Sequence, residues 1–258
     1  MSGPLVTTTP GAPAGFFGKL PGQGDFLTRR LSADFLQIWD PWLQASVSES
    51  QTALGEAWLD AYLTSPIWRF VLTAGVAGQS PWAGLMMPSV DRVGRYFPLT
   101  VACPLPDGMT PLLALSSAAD WFNDTQTLML DALEGVMGVD ELDARLLALP
   151  PAQIATSALA KADEPVACDT LGWRLALPDP RSAPDLMPGL LHCALSDLFF
   201  AYSLWWSEGS ERVAPSLLVC QGLPSDPEFT THYTGDWAAG QWWCIGDSSA
   251  RAQRSDEQ

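Results

Sequence analysis

"IWRFVLTAGVAGQSPWAGLMMPSVDRVGRYFPLTVACPL" occupies residues 67–105. Its three runs "IWRFVLTAG", "WAGLMMPSV" and "RYFPLTVACPL" are apolar, rich in aromatic and β-branched residues, and separated by glycine, proline and "DRVG". Such runs predict three strands, with "SVDRVGR" (89–95) turning the chain between the last two. The flanking sequence changes character on both sides. Upstream, "GFFGKL" (15–20) reads as a strand leading into a glycine-rich turn. "LSADFLQIWDPWLQASV" (31–47) then places Phe35, Ile38, Trp39, Trp42 and Leu43 at helical spacing behind Ser32, a capping residue. Pro41 predicts a kink there, or a fresh start capped by Asp40. A second helix carries Leu54, Trp58, Leu59, Tyr62 and Leu63 and ends at Pro66.

Downstream, "PLPDGMTP" (104–111) reads as a linker. Leu112, Leu115, Ala119, Phe122, Gln126, Met129, Leu133 and Val136 then alternate steps of three and four, which predicts an amphipathic helix. Its other face carries Asp120, Asp124, Asp131 and Glu134, and "VDELDARLLAL" (139–149) predicts a short acidic helix after it. Residues 149–190 read as loop with a short strand at "GWRLAL" (172–177). "SLWWSEGS", "PSLLVCQGLP" and "GQWWCIG" read as strands with glycine turns. The sum is an α+β fold: a largely antiparallel or mixed sheet covered by helices, an αβα sandwich. Residues 1–14 and 247–258 read as flexible tails around an α+β region at 15–246, with candidate sub-halves at 15–105 and 110–246.

The 258 residues, 47% hydrophobic and 16% charged, suffice for a sizeable core. Neither a secretory leader nor an apolar run of the roughly 18–20 residues that cross a bilayer is evident, so a cytoplasmic protein without membrane insertion is expected. Five scattered cysteines without a CxxC pair suit reduced thiols. The net charge is −16, and it is lopsided. Residues 1–100 hold six Lys/Arg against seven Asp/Glu, whereas residues 101–258 hold seven against twenty-two. So acidic a surface repels phosphates, which argues against nucleic acid and anionic lipid.

"GFFGKLPGQGDFLTRRL" (15–31) superficially suggests a phosphate loop. Lys19 is followed by Leu20 where a Walker motif needs Ser or Thr, and Gly22-x-Gly24 lacks the third glycine of a dinucleotide turn. Glycines that tolerate positive φ in a tight strand-to-helix turn account for the stretch better. Cys168 and Arg174 have the spacing of a cysteine phosphatase, but Asp169 would raise the thiol pKa and repel phosphate. Two histidines, His192 and His232, and scattered cysteines offer no metal-ligand spacing. The acidic helix face reads first as a solvated face and second as a docking surface. No catalytic residue, metal site or cofactor is expected. The polar groups left without an obvious use are Lys19 and Asp25 in the first turn and Asp91, Arg92 and Arg95 in "SVDRVGR". They read either as ion pairs closing turns or as a protein-recognition surface formed where the two loops meet.

The blocks "GFFGKLPGQGDFL.RRL...F...WD.WLQ", "SPIWRF" and "SVDRVGRYFPLT", with "LWWSEGS" and "CQGLPSDPEF" later, resemble the TagF family, associated with bacterial type VI secretion. The resemblance runs over about residues 15–240. It implies a cytoplasmic accessory protein. Some members of the family repress assembly of the secretion machine post-translationally through a forkhead-associated scaffold protein, apart from or against the threonine-phosphorylation branch of control. Other members carry a PP2C-type phosphatase domain. This chain's only Asp-Gly, Asp107-Gly108, continues as "DGMT" without the metal-binding DGxG pattern, so that activity does not transfer. The resemblance supplies no catalytic residue. A non-enzymatic regulator is therefore expected, against two alternatives: a small hydrolase or phosphatase built on Cys168/Arg174 or on Asp25/Asp91, and a structural subunit of the apparatus.

Overall fold

The three strands predicted over 67–105 are β3 (Trp68–Leu72), β4 (Trp82–Met87) and β5 (Leu99–Pro104), adjacent and antiparallel at the centre of the sheet. The structure, a computed structural model, describes residues 12–156, 179, 181 and 183–245. Among these, seven strands form one sheet in the order β2-β1-β5-β4-β3-β6-β7, every pair antiparallel. Here β1 is Gly15–Gly18, β2 Leu27–Arg29, β6 Tyr202–Ser207 and β7 Ser216–Gln221. The last third of the chain thus enters the sheet beside β3, where Phe70 pairs with Trp205.

Strand alternation sorts side chains onto two faces. Trp68, Phe70 and Leu72 point to one, with α1 (Ala33–Leu54), α2 (Trp58–Leu63) and α7 (Asp226–Thr234) over them. Val71, Leu85, Leu99 and Val101 point to the other, covered by α3 (Ala114–Ser117), α4 (Ala119–Leu133) and α5 (Val139–Ala148). The helix α6 (Ala183–Phe199) rests near β6, where His192 meets Tyr202. This is the α+β sandwich the patterning predicts. The adjacent Trp205 and Trp206 divide between the faces as a strand requires: Trp205 is buried in the first core, and Trp206 lies edge-on to Phe122 in the second.

Glycine has a distinct job at two strand positions. A Cβ on Gly84 would sit 2.4 Å from the Phe70 ring, so the bare backbone there is what lets that ring lie flat across the neighbouring strand. Gly18, at φ +133°, would put a Cβ 2.1 Å from the Pro98 carbonyl oxygen.

Several expectations give way. The turn after β1 leads to a short strand, β2, not directly to a helix. Gly22 and Gly24 in it do not have positive φ, so of this stretch's glycines only Gly18 uses that freedom. One helix runs unbroken from Ala33 to Leu54 with Pro41 inside it, started by Ser32, whose hydroxyl accepts from the Phe35 N–H at 3.3 Å. Residues 183–190, which read as loop, open a helix that runs to Phe199, and Asp226–Thr234 is a helix not anticipated at all. "GQWWCIG" is irregular over its described residues, 240–245, where Trp242 donates to the Thr231 hydroxyl at 3.0 Å. The strand expected at "GWRLAL", the Cys168/Arg174 pair, nearly all of the first tail and the whole of the second lie outside the described residues.

Candidate functional site

The loop between β1 and β2 (19–26) and the turn between β4 and β5 (88–98) meet at one end of the sheet. One backbone and one side-chain bond join them: the Arg92 N–H donates to the Gln23 carbonyl at 2.9 Å, and the Arg95 guanidinium donates through Nη2 to the Gly24 carbonyl. The turn closes on itself through Asp91 N–H to Arg95 carbonyl at 3.0 Å and Gly94 N–H to Asp91 carbonyl at 3.0 Å.

Asp91 is the hub. Its side chain is wholly buried, and each oxygen accepts twice. Oδ1 takes the N–H groups of Val93 (3.0 Å) and Arg95 (2.9 Å); Oδ2 takes Lys19 Nζ (3.1 Å) and Arg95 Nε (2.7 Å). Burial alone would push this carboxyl up. The Arg95 N–H, the Lys19 ammonium, the Arg95 guanidinium and the Val93 N–H together outweigh it and hold the carboxyl well below the usual carboxylate range. A buried charge is tolerable when paired and hydrogen-bonded this fully. With four bonds on two oxygens, Asp91 has no lone pair free to act as a general base.

Lys19 is nearly as hidden, and its ammonium lies 4.9 Å from the centroid of the Phe26 ring. Phe26 stacks on Phe17 at 5.8 Å and meets Phe97 edge-on at 4.8 Å. Ser89 ties the turn to α2 behind it. The Ser89 hydroxyl donates to the Lys19 carbonyl at 2.6 Å. Tyr62 accepts from the Ser89 N–H and donates to the Ser89 carbonyl, both at 2.8 Å. Burial pushes the Tyr62 phenol far above its ordinary range, so it stays neutral.

The structure therefore brings together four of the five residues singled out in the sequence, in two roles. Lys19 and Asp91 are buried and serve the fold. Arg95 bridges inside and outside, its side chain 58% exposed. Arg92 is exposed; its backbone is pinned while its side chain makes no hydrogen bond or ion pair among the described residues. Asp25 is exposed and outside the ion-pair network. Sequence reasoning missed Tyr62, read as one more apolar helix residue, and the exposed apolar pair Phe26 (48%) and Val93 (65%). Their signal was faint: a phenylalanine beside an aspartate in a polar loop, and a valine between Arg92 and Gly94.

Elsewhere, His232 is fully buried among Trp68, Trp205, Phe229 and Trp242, and burial lowers its pKa to about 4. His192 shares a 2.7 Å hydrogen bond with the Tyr202 hydroxyl. Arg69, buried on β3, donates through Nη2 to Asn123, Gln126 and Glu208, all at 3.0 Å, and so fastens α4 to the sheet. Among the described residues, no group of three or more His, Cys, Asp or Glu side chains could hold a metal ion.

Residues 15–149, which include both loops, match the family model of the TagF N-terminal domain, described as type VI secretion system-associated. Among solved structures, the chain is similar to the crystal structure of PA0076 from Pseudomonas aeruginosa PAO1. Sequence identity is 37% and the TM-score 0.74, over 91% of this chain and 97% of that one. A comparison with curated proteins found no match.

Proposed function

The chain belongs to the TagF family of type VI secretion-associated proteins, and from that premise we propose that it is a non-enzymatic regulator that acts by binding another protein. Its target in this reading is the forkhead-associated scaffold of the secretion system, and the outcome is repression of assembly in the cytoplasm. One observation carries the proposal. The ionised groups buried at the meeting of the two loops are consumed in bonding to one another, while Arg92, Arg95, Val93 and Phe26 are displayed on the outside. A rigid base under exposed arginine and aromatic side chains suits recognition better than turnover. In keeping with a protein that works in water, no helix among the described residues is long and apolar enough to cross a membrane.

The test is calorimetry of the purified protein against the scaffold from the same secretion cluster, at low and moderate salt. Binding that weakens as salt rises is expected. Absence of binding at micromolar concentration overturns the choice of target. Arg92→Glu is the variant to use. Arg95→Glu would set a second carboxylate against Asp91 and confuse lost binding with lost folding.

A further inference from the structure

We infer that the exposed apex of the two joined loops docks an acidic polypeptide segment bearing an apolar anchor; the inference rests on the protein-binding reading above and names the chemistry of the partner.

Charge is the first argument. The chain carries −16 overall, yet its apex is locally basic. Lys19 and Arg95 share a single carboxylate, and Arg92 has none. Asp25 is the only exposed acid in either loop. A basic partner would meet two arginines here and acidic helices elsewhere, whereas an acidic one is disfavoured by the chain's overall charge and attracted at the apex. Nucleic acid is acidic too, but a long polyanion cannot touch the apex without lying along the acidic remainder.

Shape and polarity are the second. Val93, at the tip of its turn, is 65% exposed, and Phe26 shows half its ring to solvent while its other contacts are Phe17, Phe97 and the Lys19 ammonium. An exposed aromatic ring on the same joined loops as two arginines has the composition enriched at interfaces, and Val93 adds apolar area beside Arg92. Pre-organisation is the third. Arg95 is held by Asp91 and Gly24, and Arg92 stands on a backbone pinned to Gln23, so little backbone freedom remains to be lost on binding.

The test uses the full chain and three short labelled peptides, followed by fluorescence anisotropy. The first alternates glutamate with leucine, the second glutamate with glycine, and the third lysine with leucine. The Glu/Leu peptide should bind best, more weakly as salt rises. Arg92→Glu should weaken it on the order of tenfold, and Val93→Ser should weaken it by less while the melting temperature stays put. Competition by the Lys/Leu peptide for the Glu/Leu site, Glu/Leu capture no stronger than Glu/Gly capture, or capture indifferent to both substitutions, overturns the inference. So does sedimentation showing a dimer of this chain that Arg92→Glu dissolves, because a second copy is then the occupant. The two proposals fail separately. A scaffold bound undiminished by Arg92→Glu and Val93→Ser removes the apex and leaves the target. Peptide capture that depends on Arg92, with no scaffold binding, removes the target and leaves the apex.

Discussion

Two buried titratable side chains in this molecule, Asp91 at the meeting of the loops and His232 on α7, are accommodated in opposite ways. Asp91 is kept charged: two cations and two backbone N–H groups surround it. His232 is kept neutral: aromatic rings surround it, Nδ1 donates to the Glu228 carbonyl at 3.1 Å, and Nε2 has no hydrogen-bond partner among the described residues. The first arrangement fixes geometry, because each of its bonds has a direction. The second gives apolar contact, and the ring is tolerated only while it carries no proton. An end built to present side chains outward uses the directional solution, and an end built to bury a helix uses the apolar one.

The comparison breaks most visibly at Asp91. Replacing it by alanine strands the Lys19 ammonium inside the protein, and thermal unfolding should show a fall in Tm on the order of 10 °C. A fall of only a degree or two would mean that Lys19 escapes to water and the hub is not needed. Its pH window is low. Because the folded carboxyl titrates below its ordinary range, its stabilisation is complete above that range and drains away as pH falls from there through the lower folded value.

His232 fails earlier. Its folded-state pKa is lowered from 6.5 to about 4, so between those values the unfolded ring takes up a proton that the folded ring refuses. Stability should therefore fall by about 3 kcal/mol as pH drops from 6.5 to 4 and level off below. Urea midpoints across that range check it, and His232→Phe should flatten the slope. A smaller effect sharpens the same contrast. At the N-terminus of α7 the Ser225 N–H donates to Glu228 Oε2 at 2.6 Å, and Glu228→Ala should cost about 1 kcal/mol in denaturant titration. Smallest is Arg92→Glu, which should change stability by no more than about 0.5 kcal/mol, since its side chain is exposed and lies outside the Asp91 hub.

The sequence disclosed these features unevenly, for physical reasons. The strands over 67–105 were legible because apolar runs bounded by turn residues leave few alternatives, and "DRVG" was recognisably the turn between two of them. That Lys19 would find Asp91 was not written locally: the partners lie on different loops, and only the pairing of β1 with β5 brings them together. Asp25, equally polar, follows directly on Gly24, which accepts from Arg95, and still stays outside the ion-pair network. β2 is three residues long, too short to show alternation. α6 hid behind Pro188 and Gly189, which read as loop. α7 had announced itself in Ser225, Pro227 and Glu228, a helix-start signature overlooked beside a run of strand-like sequence.

The pairing of β3 with β6 has a consequence for biosynthesis. The stretch that carries the family signature ends at residue 149, yet one long edge of β3 stays bare until Tyr202–Ser207 has been made. Trp205, Phe229 and His232, which close over Trp39, Trp42, Phe70 and Trp68, arrive later than every residue they cover. A ribosome-bound chain of this protein thus spends the last third of its synthesis with its most aromatic surface uncovered. That is the interval in which a chaperone has something to hold.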